Sequence, residues 1–192
     1  MAETLRVTAR AGESNAQRAN REKAARGHLD DGKKALAEQK WVNAIDLLQA
    51  ALTTSGRQDY GTVANEAATL LARARKERDA FVVAQRTGTA RRLVGEAKAL
   101  GTSDIPQAIQ KLRDARELDA AADGAAELQN TLQEQARSQG ETALSSAKNF
   151  DNRNRADQAI REYERAVQLL ELVPGGHKDL NLARSRLAEL KR

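Results

Sequence analysis

Two imidazoles, His28 and His177, and no thiol make up the soft-ligand and nucleophile inventory of the 192-residue chain. Neither histidine has a second one at the H-x-x-x-H spacing that places two zinc ligands on one helix face. The lack of cysteine removes disulfides, thiolate metal sites and a thiol nucleophile, and it fits any redox compartment. His28 falls in a charged helical stretch and His177 beside the Gly175-Gly176 turn, so both read as exposed or turn-capping residues. Gly88, alone between Thr87 and Thr89, does not make a phosphate-cradling loop, and no G-x-x-x-x-G-K-[ST] run occurs. Asp30-Asp31, Asp46, Glu162 and Glu164 are spaced like the surface charges of helices. Acid–base catalysis needs converging groups with tuned pKa values. Nothing here gathers them, and the chain reads as non-catalytic, without cofactor or metal.

The remaining chemistry is charge. The formal net charge is +5 and the pI about 9.7. Residues 57–100 carry nine basic and five acidic side chains, whereas residues 101–150 carry five and eight. The chain is therefore polarised, with a basic front and an acidic middle. Arg73, Arg75, Lys76, Arg78, Arg86, Arg91 and Arg92 form the densest basic cluster, but seven residues at about 100° per step spread around a helix, with Glu66, Glu77 and Asp79 interleaved. A strand-tracking surface would be more continuous and would add stacking aromatics, of which only Tyr60 and Phe81 are near.

These residues must be carried by helices. Two prolines, twelve glycines and 3% aromatics stand against abundant Ala, Leu, Arg, Glu and Gln, which lose the least side-chain entropy in a helix. An all-α fold is expected. No apolar run reaches the roughly 18–20 residues of a membrane span, and no apolar signal core opens the chain. The expected protein is soluble: cytoplasmic, or periplasmic if a signal has been removed.

Three segments share one pattern: Ala44-Ile45-x-x-Leu48-x-x-Ala51, Ala108-Ile109-x-x-Leu112-x-x-Ala115 and Ala159-Ile160-x-x-Tyr163-x-x-Ala166, using three of the four isoleucines. The i, i+1, i+4, i+7 spacing is one helical stripe. Upstream of each lies a second helical stretch, marked by Ala25-Arg26 with Gly32 and Ala35, Ala90-Arg91 with Gly95 and Ala99, and Ala136-Arg137 with Gly140 and Ala143. The unit is a helical hairpin. Copies are expected at about 21–55, 59–120 and 122–172, with a capping helix over 177–191 that places Leu180, Ala183, Leu187 and Leu190 on one face. The repeat distances exceed the 34 residues of a standard tetratricopeptide unit, so the first helices are elongated. One long or once-broken helix is expected from Asp59 to Leu100, with any break at Thr87-Gly88-Thr89. Residues 1–20 lack periodicity and read as a flexible leader to a single domain over 21–192.

Gly32, Ala35, Trp41, Ala44, Ile45, Leu48, Ala51 and Leu52 resemble the small, aromatic, small pattern of the tetratricopeptide-repeat family, with Trp41 opening the second helix. The resemblance covers about half the chain and is degenerate: Ile105 takes the aromatic place in the second copy, and residues 149–154 are inserted in the third. Microtubule-interacting-and-transport-type hairpins are a second resemblance. The first implies an α-solenoid of stacked antiparallel hairpins whose concave face holds a peptide or partner protein. Lys33, Arg91, Lys98 and Arg137, on the first helices, are the expected partner-binding residues; Lys34 and Arg92 are further basic residues on those segments, and no Asn completes a carboxylate clamp. Two alternatives stand beside this scaffold or adaptor: a basic helical protein that binds nucleic acid, and a self-assembling module of a larger envelope protein. Trp41 and Tyr163 read as packing residues, and Trp41→Ala is expected to cost about 3 kcal/mol.

Overall fold

The computed structural model describes the backbone of residues 2–55 and 61–192, and the side chains of 16–55 and 62–192. Asp59 and Tyr60 lie outside the described residues. Among those described there are seven helices and no strand: α1 (Ala2–Ala37), α2 (Trp41–Ser55), α3 (Gly61–Leu100), α4 (Ile105–Leu118), α5 (Ala125–Asn152), α6 (Ala156–Leu170) and α7 (Leu180–Leu190). The all-α class follows from composition. Three long first helices, α1, α3 and α5, alternate with the shorter α2, α4 and α6.

Two expectations change at the level of whole segments. Residues 2–20, expected as a flexible leader, lie within α1. Their Ala, Arg, Glu and Gln content favours helix without needing an apolar stripe, which is why periodicity did not reveal them. The expected single domain over 21–192 is instead two compact units, residues 1–84 and 85–192. Helix α3 passes through Thr87-Gly88-Thr89 without interruption, so the anticipated break is absent. A single glycine costs a helix only about 1 kcal/mol.

The first unit buries Ala25, Leu29 and Leu36 of α1, Ala44, Leu48 and Ala51 of α2, and Val63, Ala67, Leu71 and Ala74 of α3. The second holds two clusters. One joins Ala90, Val94 and Ala97 of α3 to Ile105, Ala108, Ile109, Leu112 and Ala115 of α4 and to Leu132 and Ala136 of α5. The other joins Ala143, Leu144 and Ala147 of α5 to Ala159, Tyr163, Ala166 and Leu170 of α6, with Ala183 of α7 beneath them. The repeated stripe is thus core in all three copies, although Ile45, Ile160 and Trp41 remain half-buried. Helix α7 covers the end with Leu180, Leu187 and Leu190 packed on that last cluster, as its sequence face requires.

The turns explain the register. Helix α1 ends with Gln39 in the left-handed region (φ 57°), its N–H donating to the Leu36 carbonyl and the Lys40 N–H donating to that of Ala35. Helix α5 ends in the same way: Asn154 is left-handed (φ 56°), its N–H bonds Asp151 O, and the Arg155 N–H bonds Phe150 O. This 6→1, 5→2 pair satisfies carbonyls that a helix end would orphan. Helix α3 ends on left-handed Gly101, whose N–H bonds Ala97 O, and α4 starts two residues later than α2 or α6 do, on the Asp104 side-chain cap to the Gln107 N–H and with Pro106 in its first turn.

Counted from these left-handed residues, the hairpins share a ladder with a seven-residue step. On the rung nearest the turn stand Gly32 with Leu48, Val94 with Leu112, and Ala147 with Tyr163. Two turns further out stand Ala25 with Ser55, Thr87 with Asp119, and Gly140 with Leu170. Three of these pairings meet directly. A Cβ on Gly32 would lie 2.8 Å from the Leu48 side chain, and one on Gly140 would lie 2.7 Å from that of Leu170. The Thr87 hydroxyl donates to Asp119 Oδ2 at 2.9 Å. This corrects the first-helix alignment. Gly32 and Gly140 are on different rungs, Gly95 has open space where its Cβ would be, and Ala99 is exposed. Ala25, Ala90 and Ala136 are all buried but fall at unequal distances from their turns, so the Ala-Arg dipeptides are not equivalent positions.

Candidate interaction surface

The four expected partner-binding cations do not form one site. Lys33 is engaged: its Nζ lies 2.8 Å from Glu66 and 3.9 Å from Asp30, in a shallow groove of about 240 Å³ between α1 and α3. Arg137 lines a different groove, of about 270 Å³, with Asn130, Gln133, Glu134 and Pro174. Arg91 and Lys98 are exposed on α3, seven residues apart and so on one helix face, and Lys98 Nζ reaches to 4.0 Å from where a Gly124 Cβ would be. A larger groove that sequence reading missed, of about 660 Å³, runs between α2 and α3 over Leu52, Ala64, Ala68 and Leu71, with Arg75 donating to Gln49 Oε1 at 3.1 Å at its edge.

The titratable groups are structural in their partners. Asp151 accepts both Arg186 Nε (2.6 Å) and Nη2 (2.9 Å), with the Tyr163 hydroxyl at 3.5 Å. The Arg186 hydrogen bonds hold the Asp151 carboxyl below the usual range against the opposing effect of burial, and burial pushes the Tyr163 phenol up. Glu96 is lowered chiefly by its hydrogen bond from Lys111 at 2.5 Å, across from α4, and it also pairs with Arg92. Glu77 is lowered first by Arg73 at 2.7 Å.

His177 is not exposed: its Nε2 meets Glu141 at 3.0 Å while Nδ1 accepts the Asp179 N–H at 3.3 Å, fastening the turn before α7 to α5. His28 is half-buried. Among the described residues, no three His, Asp or Glu side chains converge as metal ligands, and no helix is long and apolar enough to cross a membrane.

The feature that sequence reading did not single out is the middle of α3. Every residue from Asp79 to Arg86 is exposed, including Phe81 (45%), Val82 (41%) and Val83 (61%). Among the described residues Phe81 has one aromatic neighbour, Trp41 of α2, with ring centroids 4.7 Å apart and planes tilted by 40°. That contact leaves Trp41 half-buried, with Nε1 shielded from solvent and close enough to Glu77 to help hold its carboxyl below the usual range. Val42, beside it on α2, is 64% exposed. The signal was present in sequence: Phe81-Val82-Val83 is an apolar run that no single helix face can bury.

Register also reorganises the basic cluster. Arg75, Arg78, Val82 and Arg86 stand at i, i+3, i+7 and i+11, within an arc of about 80° at 100° per residue. Arg78 is hydrogen-bonded to Asp79 Oδ1 at 2.8 Å, and Arg86 makes no ion pair among the described residues. No protein-family model matches this chain, and neither does any curated protein or solved structure.

Proposed function

We propose that the protein is a non-catalytic interaction scaffold of tetratricopeptide-like helical hairpins that binds a peptide segment or partner protein on its long first helices. The observation that carries the reading is the uncovered middle of α3, where Phe81, Val82 and Val83 face solvent on a continuous helix. Leaving three consecutive large apolar side chains about half exposed forgoes roughly 1 kcal/mol for each that a partner would cover. A helix fixes their spacing before any partner arrives, which lowers the ordering cost of association. The exposed cations Arg91 and Lys98, on one face of the same helix, add charge to α3.

The test is capture of partners from native lysate by wild type and by Val83→Glu at two salt concentrations, after nuclease treatment. Retention by wild type and loss with Val83→Glu is the expected result; equal retention by both removes α3 from the binding surface. Nucleic-acid binding is the second reading, favoured by the arginine face of α3. It calls for an affinity that falls steeply with salt as counterions are released. No binding to single- or double-stranded DNA or RNA at low salt overturns it.

A further inference from the structure

The α3 face has a complement elsewhere in the same chain. Residues 73–92 carry seven basic and two acidic side chains, while residues 101–150 carry eight acidic and five basic. The acidic excess has a defined place. Glu127 and Glu134 of α5 are seven residues apart and so on one helix face, and Asp123 lies one residue before that helix's N-cap, Gly124. All three are exposed, and none makes an ion pair among the described residues. Glu127 and Glu134 span about 10 Å along α5, against about 12 Å between Arg78 and Arg86 along α3. Between the two carboxylates lie exposed Asn130 and Thr131, where the arginine face has Val82.

We infer that two copies of this protein associate head to tail, the Arg75–Arg78–Val82–Arg86 face of α3 in one molecule docking on the Asp123–Glu127–Glu134 face of α5 in the next. The inference rests on the reading of the long first helices as interaction surfaces, and it names one occupant for them. Each guanidinium can fork onto a carboxylate, a geometry that lysine would not match. The Arg78 link to Asp79 is an exposed pair between adjacent residues and costs little to exchange. Val82 gains cover from the Thr131 methyl group. Because the two faces differ, the contact is heterologous: a pair of molecules keeps one free face of each kind, and association continues into a ring or an open chain rather than stopping at a dimer. Exposed charges make the contact weak and salt-sensitive.

The experiment is sedimentation of the purified, nuclease-treated full chain over a hundredfold concentration range, at low salt and at about 0.5 M salt. The expected mass grows with concentration at low salt and returns to the monomer at high salt. Two charge-reversal variants, R78E/R86E and E127K/E134K, are each expected to stay monomeric while keeping the wild-type helical signal and melting temperature. An equimolar mixture of the two is expected to associate, since one contact keeps its arginines and carboxylates and the other pairs the introduced glutamates with the introduced lysines. A wild type that stays monomeric throughout, a variant that assembles like wild type, a mixture that stays monomeric, or assembly lost on nuclease treatment each overturns the proposal. Should a monomeric wild type still capture a partner that Val83→Glu loses, the pairing fails and the scaffold reading stands.

Discussion

The α1–α2 and α5–α6 hairpins turn on the same backbone hydrogen bonds but place their closest helix approach on different rungs. In α1–α2 the glycine and leucine meet on the first rung, Gly32 under Leu48, and the second rung pairs two small residues, Ala25 and Ser55. In α5–α6 the first rung pairs Ala147 with the large Tyr163, and glycine and leucine meet on the second, Gly140 under Leu170. A small residue on the first helix faces the second helix on each of these rungs. The repeat conserves small side chains at the interface, not glycine at one position. The difference tracks length and load: Gly140–Leu170 lies where α6 runs on into the Val173 turn and α7 packs on the same cluster.

The largest expected effects test whether the rungs carry the hairpins. Leu48 and Leu170 are fully buried, so Leu→Ala at either should cost about 3 kcal/mol, within the usual 2–5 for a core leucine. Trp41→Ala should cost less, about 2 kcal/mol, because the ring is half-buried. Chemical denaturation read by circular dichroism measures all three. A Trp41 loss equal to or above that of Leu48 would mean that the aromatic, and not the rung, holds the first hairpin.

Glycine substitutions sharpen the comparison, with smaller effects. Alanine at a helical glycine gains about 1 kcal/mol of propensity but here meets overpacking of about 1–3 kcal/mol. At Gly140 the new Cβ would be caught between the Leu170 side chain at 2.7 Å and Leu169 Cβ at 3.3 Å; at Gly32 it would meet only Leu48 that closely. Gly140→Ala should therefore destabilise by about 1 kcal/mol, Gly32→Ala by less, and Gly95→Ala, with open space, should stabilise by about 0.5–1 kcal/mol. A destabilising Gly95→Ala would restore the register in which Gly32, Gly95 and Gly140 are equivalent.

That register was half legible. The second-helix stripe sits in strongly amphipathic stretches, and Ala44, Leu48, Ala108, Ile109, Leu112, Ala159 and Ala166 are core as their spacing demands. The first helices are long and mostly polar, so small residues recur on them at several spacings. What fixes their alignment is the left-handed turn residue, and in two of three hairpins that residue is Gln39 or Asn154 rather than a glycine that would announce it. The α3 surface was hidden for a related reason. Seven cations look scattered until the helix is known to be continuous from Gly61 to Leu100, and only then do Arg75, Arg78 and Arg86 fall on one face with Val82. The Arg186–Asp151 contact, spanning 35 residues of chain, has no local signature at all.

That contact is the last difference between the two hairpins, and pH separates it from packing. The first hairpin has no counterpart among the described residues of an arginine forked onto the carboxylate at its helix end. Asp151 titrates below the usual carboxylate range because Arg186 donates two hydrogen bonds to it, with burial working the other way. A carboxyl with a lowered folded-state pKa stabilises fully above its unfolded pKa, near 3.9, and the contribution is lost as pH falls through the folded value. Asp151→Asn, which keeps shape and removes charge, should lower the melting temperature by a few degrees at pH 6–7. The gap from wild type should close as pH falls through the lowered folded-state value, where Asp151 becomes protonated. Melts followed by circular dichroism from pH 2 to 7 give the curve. A gap that does not change with pH would assign the fastening of α7 to Leu180, Leu187 and Leu190 alone. A gap that closes in acid would make the Arg186–Asp151 pair a part of what holds α7 on the end of the second unit.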